Sequence, residues 1–98
     1  MSDIQWHDRS TSASILAQNT FTGAIKVRGL FNLSLSGTWV ATVHIQRSFD
    51  SGTTWLDVAS YTANIEDLGD EPEAGVLYRA GVKTGNYTSG TVVLRIGQ

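Results

Sequence analysis

The sequence predicts an all-β protein, because apolar and polar residues alternate with a period of two along most of the chain. Turn-forming residues separate the alternating segments at short intervals, for example Ser36-Gly37 and Ser89-Gly90. No segment shows the 3.6-residue period of an amphipathic helix. About six short strands with short connections favour an antiparallel sandwich or small barrel over an α/β fold with crossover helices.

The clearest predicted strand begins at Ile25, after which apolar residues occupy one face as far as Leu35. Gly29 interrupts this row, and a glycine inside a strand predicts a bend or bulge. Further alternating runs cover residues 39–46, 55–61, 76–82 and 91–96, with a weaker one at 13–22. Residues of one parity on these strands form the expected core: Phe31, Leu33, Trp39, Val43, Ile45, Tyr78, Val82, Leu94 and Ile96.

Length and composition predict one globular domain with one core. The chain has 98 residues, of which 41% are hydrophobic and 16% charged. It has no cysteine, so we expect neither a disulfide framework nor a thiolate metal site. Residues 1–12 are polar and do not alternate, which predicts a flexible N-terminal arm followed by a β-sandwich domain at residues 13–98.

Charge and the N-terminal sequence limit the expected partners. A net charge of −2 with scattered basic residues argues against a nucleic-acid partner, because phosphate binding needs clustered Lys and Arg. The first residues contain neither a basic start nor a long apolar run, so we predict no signal peptide and no membrane contact. The protein is therefore expected to stay in the cytosol or to leave the cell by lysis.

The segment from Ser48 to Trp55, with the sequence Ser-Phe-Asp-Ser-Gly-Thr-Thr-Trp, resembles the Asp-box hairpin of sialidases and other β-proteins. In such a turn an Asp side chain accepts backbone N–H groups, Gly supplies a left-handed residue and Trp packs beneath. We therefore predict a structural turn built by Ser48, Asp50, Gly52 and Trp55. Sialidases repeat the box from blade to blade, away from the catalytic site, so a single box implies no activity.

The second half of the chain resembles the last two strands of a fibronectin type III or immunoglobulin-like sandwich. Residues 78–82 and 92–96 would be those strands, residues 85–90 the turn between them, and the hairpin from Trp39 to Trp55 the central strands. The resemblance implies an immunoglobulin-like antiparallel β-sandwich of about six to seven strands, without the cysteine pair of antibody domains.

The chain consists of a polar arm, a strand pair around residues 46–55, and a Tyr-Arg strand that ends in a Thr-Ser-Gly turn. In this order of segments it is similar to small virion proteins of tailed bacteriophages and prophages. The resemblance implies a non-enzymatic head-decoration subunit or a tail or adaptor attachment subunit. Its partners would be capsid or tail subunits, its synthesis would occur in the host cytoplasm, and it would form a homo-oligomer in the particle. Trp6, a large aromatic in the polar arm, is the candidate partner-binding residue.

Two other functions compete with this one. A carbohydrate-binding module would need exposed aromatic side chains that form a platform, and Trp6, Trp39 and Trp55 are the tryptophans available, although we expect Trp39 and Trp55 to fill the core. A sialidase-like enzyme fragment would need an arginine cluster and further Asp-boxes.

Candidate catalytic and metal-binding groups are few. His7 and His44 have no acid and nucleophile at a spacing typical of a triad, so we predict no catalytic residue and no cofactor. The acidic run Glu66, Asp67, Asp70, Glu71 and Glu73 lacks EF-hand spacing and contains Pro72. It therefore predicts a solvated loop and no metal site.

Overall fold

The computed structural model describes residues 9–98, which form seven β-strands and no helix. All strand pairs are antiparallel, in the order β1-β7-β3-β6-β4-β5, with β2 beside β6. The all-β prediction is confirmed, and the strands form a single curled sheet. Their bounds are β1 (Ser10–Ile15), β2 (Thr20–Phe21), β3 (Ile25–Ser36), β4 (Trp39–Ser48), β5 (Leu56–Tyr61), β6 (Ile65–Gly90) and β7 (Val92–Gly97).

The longest strand, β6, contains 26 residues and belongs to two parts of the sheet. Residues 65–71 and 76–78 pair with β3, and residues 77–90 pair with β4. Between the pairs Gly29–Glu71 and Val27–Val76, residues 72–75 of β6 bulge outward opposite Arg28. Pro72 lies in this bulge, where its missing N–H costs no ladder hydrogen bond. The bend predicted at Gly29 is confirmed, and β6 bends beside it.

The core lies on the concave face of the curled sheet and receives side chains from β1, β3, β4, β6 and β7. Most of the predicted core is confirmed as buried: Leu33, Val43, Ile45, Tyr78, Val82, Leu94 and Ile96. Phe31 and Trp39 are corrections, because both are only partly buried at the margin of the core. Trp39 lies at the first position of β4, where its indole N–H donates to Oδ1 of exposed Asn64 at 2.7 Å.

A buried carboxylate holds the bend of β6. Glu71 is only 1% exposed, and its Oε1 accepts hydrogen bonds from the Tyr78 hydroxyl at 2.7 Å and from Arg47 at 2.9 Å. Its Oε2 accepts the backbone N–H of Glu73 at 3.0 Å. Burial raises the pKa of Glu71, but the hydrogen bonds from Tyr78, Glu73 and Arg47 outweigh it and leave the pKa below its usual value. Because these bonds join residues on both sides of the bulge to β4, they fix the angle of the strand.

The acidic run is a strand rather than the expected solvated loop, at least as far as Glu71. Its inward-facing positions are Ile65, Asp67, Gly69 and Glu71, so the usual apolar alternation is missing. Gly69 allows the Phe31 ring to lie directly on the β6 backbone, where a Cβ atom would collide with it. Cross-strand packing and backbone pairing therefore stabilise this strand, although its sequence lacks the alternating hydrophobic pattern by which strands are predicted.

The predicted boundary between arm and domain also needs correction. Ser10, Thr11 and Ser12 belong to β1 and pair with β7, although the arm was predicted to extend to residue 12. Their small polar side chains give no hydrophobic signal, and the strand is held by main-chain bonding that continues as far as Arg9, whose carbonyl accepts the N–H of Gln98 at 2.8 Å. The rest of the predicted arm, including Trp6, lies outside the described residues.

The Glu71 network predicts a pH dependence of stability. A pKa lowered by folding gives stabilisation that is complete above the unfolded-state pKa and is lost as the pH falls through the folded-state pKa. We expect Glu71→Gln to lower the free energy of unfolding at pH 7 by about 1–3 kcal/mol. Between about pH 5 and pH 3 the variant should then lose less stability than the wild type.

Denaturant titrations across that pH range test this expectation. The matched control is Glu73→Gln, which changes an exposed carboxylate two residues away and should reproduce the wild-type profile. Identical acid profiles for Glu71→Gln and the wild type would contradict the role given to this carboxylate.

Candidate functional site

The predicted turn between β4 and β5 has the hydrogen bonds of an Asp-box. The fully buried Ser48 accepts the backbone N–H of Gly52 at 2.8 Å and donates its own hydroxyl to Asp50 Oδ1 at 2.7 Å. The same Oδ1 accepts the N–H of Thr54 at 2.8 Å. Gly52 has a φ of 92°, in the left-handed region that favours glycine. These bonds lie within the turn, and those from Thr54 and then Ser48 lower the pKa of Asp50.

Trp55 is a correction to the sequence prediction. Its ring lies beside Gly52, but the side chain is half-buried and is not part of the core. The Arg79 guanidinium carbon lies 4.3 Å from the centroid of the Trp55 ring and 4.0 Å from that of Phe21. Arg79 faces away from the core because its neighbours Tyr78 and Ala80 face inward. Trp55 therefore covers the outer face of the sheet.

A polar network extends from this stack across three strands. Arg79 Nε donates to Gln46 at 2.9 Å, and Gln46 donates to Asp57 at 2.9 Å. Asp57 in turn forms an ion pair with Lys83 at 2.9 Å, and the hydrogen bonds from Lys83 and then Gln46 lower its pKa. One face of each aromatic ring is thus occupied by the protein's own guanidinium group. We call Phe21, Arg79 and Trp55 the outer-face stack, and its role is to tie β2, β6 and the Asp-box turn together.

The curled sheet leaves an apolar cleft between β5 and the first part of β6, which we call the β5–β6 cleft. Its volume is about 160 Å³. An apolar cavity of about 150 Å³ holds one benzene-sized group, so the cleft is suited to one side chain rather than to a cofactor. Its lining consists of Phe31, Leu33, Ile45, Val58, Ala59, Tyr61, Asp67, Leu68, Gly69 and Ile96.

Two strand edges without a partner border the mouth of this cleft. Among residues 9–98, β5 pairs only with β4, and residues 65–71 of β6 pair only with β3. A bulge in β5 gives Val58 no partner on β4, and its side chain is 48% exposed at the cleft. Leu68, on the opposite rim, is 79% exposed. Large apolar side chains exposed next to a cavity are typical of interaction sites.

One polar pair joins the two walls of the β5–β6 cleft. The Tyr61 hydroxyl donates to Asp67 Oδ2 at 2.6 Å, and Asp67 Oδ1 accepts the backbone N–H of Leu68 at 2.8 Å. Burial, together with the adjacent Asp67 carboxylate, raises the pKa of Tyr61 to about 12. Asp67 therefore places an ionised oxygen beside an otherwise apolar site.

A second, more polar groove lies beside the start of β4, and we call it the Trp39 groove. Its volume is about 390 Å³, and its lining includes Trp39, Thr42, Thr62, Asn86 and Thr88. The indole N–H of Trp39 is engaged by Asn64, which donates to the carbonyl of Gly37 at 2.9 Å. The position of Trp39 in this groove is thus fixed by hydrogen bonds.

The one histidine among residues 9–98 lies within the sheet. His44 is half-buried between Ser60 of β5 and Gly81 of β6, and its Nδ1 has no hydrogen-bond partner within that range. The described part of the chain contains no cluster of three or more His, Asp or Glu side chains that could hold a metal ion. It also has no helix long and apolar enough to cross a membrane.

Sequence reasoning found the Asp-box turn and missed the β5–β6 cleft. The cleft depends on residues distant in sequence, and half of its mouth belongs to a strand that the sequence did not predict. One signal was present: Leu68 is a large apolar residue inside an acidic run. The other candidate, Trp6, lies outside the described residues, so the structure brings it to neither the cleft nor the groove.

The Asp-box geometry predicts that Ser48 stabilises the hairpin. Ser48→Ala would remove the acceptor of the partly buried Gly52 N–H and the donor to Asp50, so we expect the free energy of unfolding to fall by about 1–3 kcal/mol. Denaturant unfolding measures this change, and Ser60→Ala on the exposed side of β5 is the control. Equal losses in the two variants would contradict the role of the Ser48 hydroxyl.

The outer-face stack predicts that Arg79 cannot be replaced by lysine. Arg79→Lys keeps the charge but loses the planar group between Phe21 and Trp55, so unfolding should become easier by about 1 kcal/mol. Arg28→Lys, at an exposed position of β3, is the control, and denaturant unfolding is the measurement. Full retention of stability in Arg79→Lys would show that stacking contributes nothing here.

Comparisons with known proteins leave the family of this chain open. No protein-family model, no curated protein and no solved structure matches it. Its function therefore has to be inferred from the surfaces described above.

Proposed function

We propose that this chain is a non-enzymatic structural subunit that docks other proteins at the β5–β6 cleft. The observation that carries the proposal is an apolar cleft between two unpaired strand edges, with Leu68 79% exposed on its rim. Complete burial of a side chain such as leucine or valine contributes about 1.5–3 kcal/mol, so covering Leu68 and Val58 favours association.

The edge of β5 is the better acceptor for a partner's main chain. The β6 edge carries Glu66, Asp67 and Asp70, and charged side chains discourage strand pairing. The single acid on β5, Asp57, is held by Lys83 and Gln46 on the outer face. A partner segment would therefore hydrogen-bond to β5 on either side of its bulge and insert a side chain into the cleft.

The sequence resemblance supplies the biological setting of the proposal. We propose a head-decoration subunit or a tail or adaptor attachment subunit of a tailed bacteriophage, made in the host cytoplasm and incorporated into the virion. Capsid or tail subunits and further copies of the same chain would then be its partners. A net charge of −2 fits a protein partner better than packaged nucleic acid.

The same proposal includes an immunoglobulin-like sandwich as the finer description of the fold. In that description, the bend of β6 would let two parts of the curled sheet face each other across a common core. The shortest dimension of the molecule, 17 Å between Cα atoms, fits two packed layers, whose backbones lie about 10 Å apart.

Carbohydrate binding is a second candidate, and the Trp39 groove favours it. Half-exposed tryptophan next to threonine and asparagine side chains offers a stacking face with hydrogen-bonding groups around it. The outer-face stack supports this function less, because Arg79 already occupies one face of the Phe21 ring and one face of the Trp55 ring.

Incorporation into particles tests the leading proposal. With Leu68→Lys introduced into the gene, purified phage or prophage particles should contain at least about tenfold less of the protein, because a charged side chain replaces an apolar one on the rim of the docking cleft. Leu16→Lys, at a leucine that is 62% exposed and does not line the cleft, should be incorporated normally. Quantitative mass spectrometry of the particles measures both variants.

Two results would contradict the proposal. Absence of the wild-type chain from the particles would remove the virion assignment, and normal incorporation of Leu68→Lys would remove the cleft from the interface. Titration with a panel of oligosaccharides tests the second candidate. Binding that disappears in Trp39→Ala would favour the carbohydrate-binding module.

A further inference from the structure

We infer that the β5–β6 cleft takes a basic side chain from an extended segment of the protein that docks there. This inference rests on the proposed function, since it names the chemistry of the partner at the same docking site. Three observations carry it: an ionised carboxylate inside an apolar cleft, the lack of a cation paired with that carboxylate in the described part of the chain, and the negative charge of the surrounding surface.

Asp67 is the one charged residue among the described residues that line the cleft. Its Oδ2 accepts the Tyr61 hydroxyl and its Oδ1 accepts the N–H of Leu68. The bond from Tyr61, and then that from Leu68, keep the pKa of Asp67 below its usual value, so the carboxylate is ionised at neutral pH. An ionised carboxylate has about four acceptor positions, so further donors still find a place on Asp67.

The charge of Asp67 is not neutralised within the described part of the chain. The ion pairs found there are those of Arg47 with Glu71 and of Lys83 with Asp57. A partner that covers the cleft removes Asp67 from water, which is strongly unfavourable for a carboxylate without a positive partner. An apolar side chain would leave this cost uncompensated, and an acidic one would add repulsion. A basic side chain supplies both the hydrogen bond and the opposite charge.

The apolar lining of the cleft suits the stem of a basic side chain. Lysine and arginine pack their methylene groups against apolar surface and keep the charged end in polar surroundings. A volume of about 160 Å³ is enough for one such side chain, with its charged end next to Asp67. Phe31 and Tyr61 also line the cleft, and aromatic rings attract cations placed over their faces.

The surface around the cleft has the charge that attracts a basic segment. Residues 56–71, which include β5 and the first part of β6, contain acidic residues but no Lys or Arg. Glu66 and Asp70 are exposed on either side of Leu68, and neither belongs to an ion pair of the described residues. Charge of one sign around a cleft attracts ligands of the opposite sign and repels those of the same sign. The charge of the site therefore selects a basic partner strand over an acidic one.

Isothermal titration calorimetry with three peptides tests the inference. The lysine peptide has the sequence Thr-Val-Thr-Lys-Thr-Val-Thr with blocked ends, so that in an extended form its valines and its lysine point to the same side. The other two peptides carry norleucine or glutamate in place of lysine. Norleucine keeps the hydrocarbon stem and lacks the ammonium group. The full chain should bind the lysine peptide at least about tenfold more tightly than either of the others.

Substitution of the carboxylate identifies the contact. Asp67→Asn removes the charge but keeps the shape of the side chain, so the preference for lysine over norleucine should disappear. Asp70→Asn, which changes an exposed carboxylate outside the cleft lining, is the matched control and should keep the preference. Thermal unfolding verifies that each variant is folded.

Salt provides a second measurement that needs no substitution. An increase from about 0.05 M to about 0.5 M NaCl should weaken binding of the lysine peptide to the wild type several-fold, because salt screens the charge pair. Binding of the norleucine peptide should stay nearly the same.

Equal affinities for the lysine and norleucine peptides would overturn the inference, as would tighter binding of the glutamate peptide. A lysine preference that survives in folded Asp67→Asn, or the absence of binding by all three peptides, would overturn it too. These results are separable from those that test the proposed function. If lysine is not preferred but Leu68→Lys still prevents incorporation into particles, the cleft docks a partner through another kind of side chain and only this inference fails. If lysine is preferred through Asp67 but Leu68→Lys is incorporated normally, the proposed function fails while the cleft still recognises basic side chains.

Discussion

The buried carboxylate of Glu71 is the interaction on which the rest of the architecture depends. A charged group this far from solvent is tolerated only when its oxygens are hydrogen-bonded, and Tyr78, Arg47 and the backbone of Glu73 provide those bonds. Glu71 precedes the bulge in β6, whereas its donors lie within the bulge (Glu73), after it (Tyr78) and on the neighbouring β4 (Arg47). Satisfying the carboxylate therefore requires the strand to bend at one place and by one angle, which a purely apolar contact would specify less strictly.

The bend determines which strand edges are left without a partner. Before the bend β6 pairs only with β3, and after it β6 pairs also with β4, so the free edge of residues 65–71 comes to lie opposite the free edge of β5. The β5–β6 cleft is the space between these two edges. Its apolar lining thus results from the same curvature that buries the core, and the bulge at Val58 and the exposed Leu68 complete its rim.

The two faces of the β4–β5–β6 region have different roles. On the outer face, Arg79 fills the space between Phe21 and Trp55, and its bond to Gln46 continues to Asp57 and Lys83, so polar and aromatic groups there are engaged within the chain. At the mouth of the cleft, apolar groups remain exposed next to main-chain edges. A subunit that assembles with other proteins would have one surface whose groups are engaged within the chain and one strand edge that is free to bind a partner. The proposed docking function follows from that contrast.

The amino-acid sequence by itself determined the all-β class, the bend at Gly29, most of the core and the Asp-box turn, because each depends on residues close together in the chain. Alternation of apolar and polar residues indicates which face of a strand is buried, and the spacing of Ser48, Asp50 and Gly52 predicts a local set of hydrogen bonds. Only the tertiary structure decided the strand at residues 65–71, the start of β1 at Ser10, the outward position of Trp55 and the existence of the cleft. Residues 65–71 present Asp67, Gly69 and Glu71 inward, and these are stabilised by Tyr61, Phe31 and Tyr78, respectively, from distant or bent parts of the chain. The apolar–polar alternation that predicts a strand is therefore absent from this segment. Its inward-facing polar residues and its glycine are stabilised by partners from other segments of the fold, which local sequence does not show.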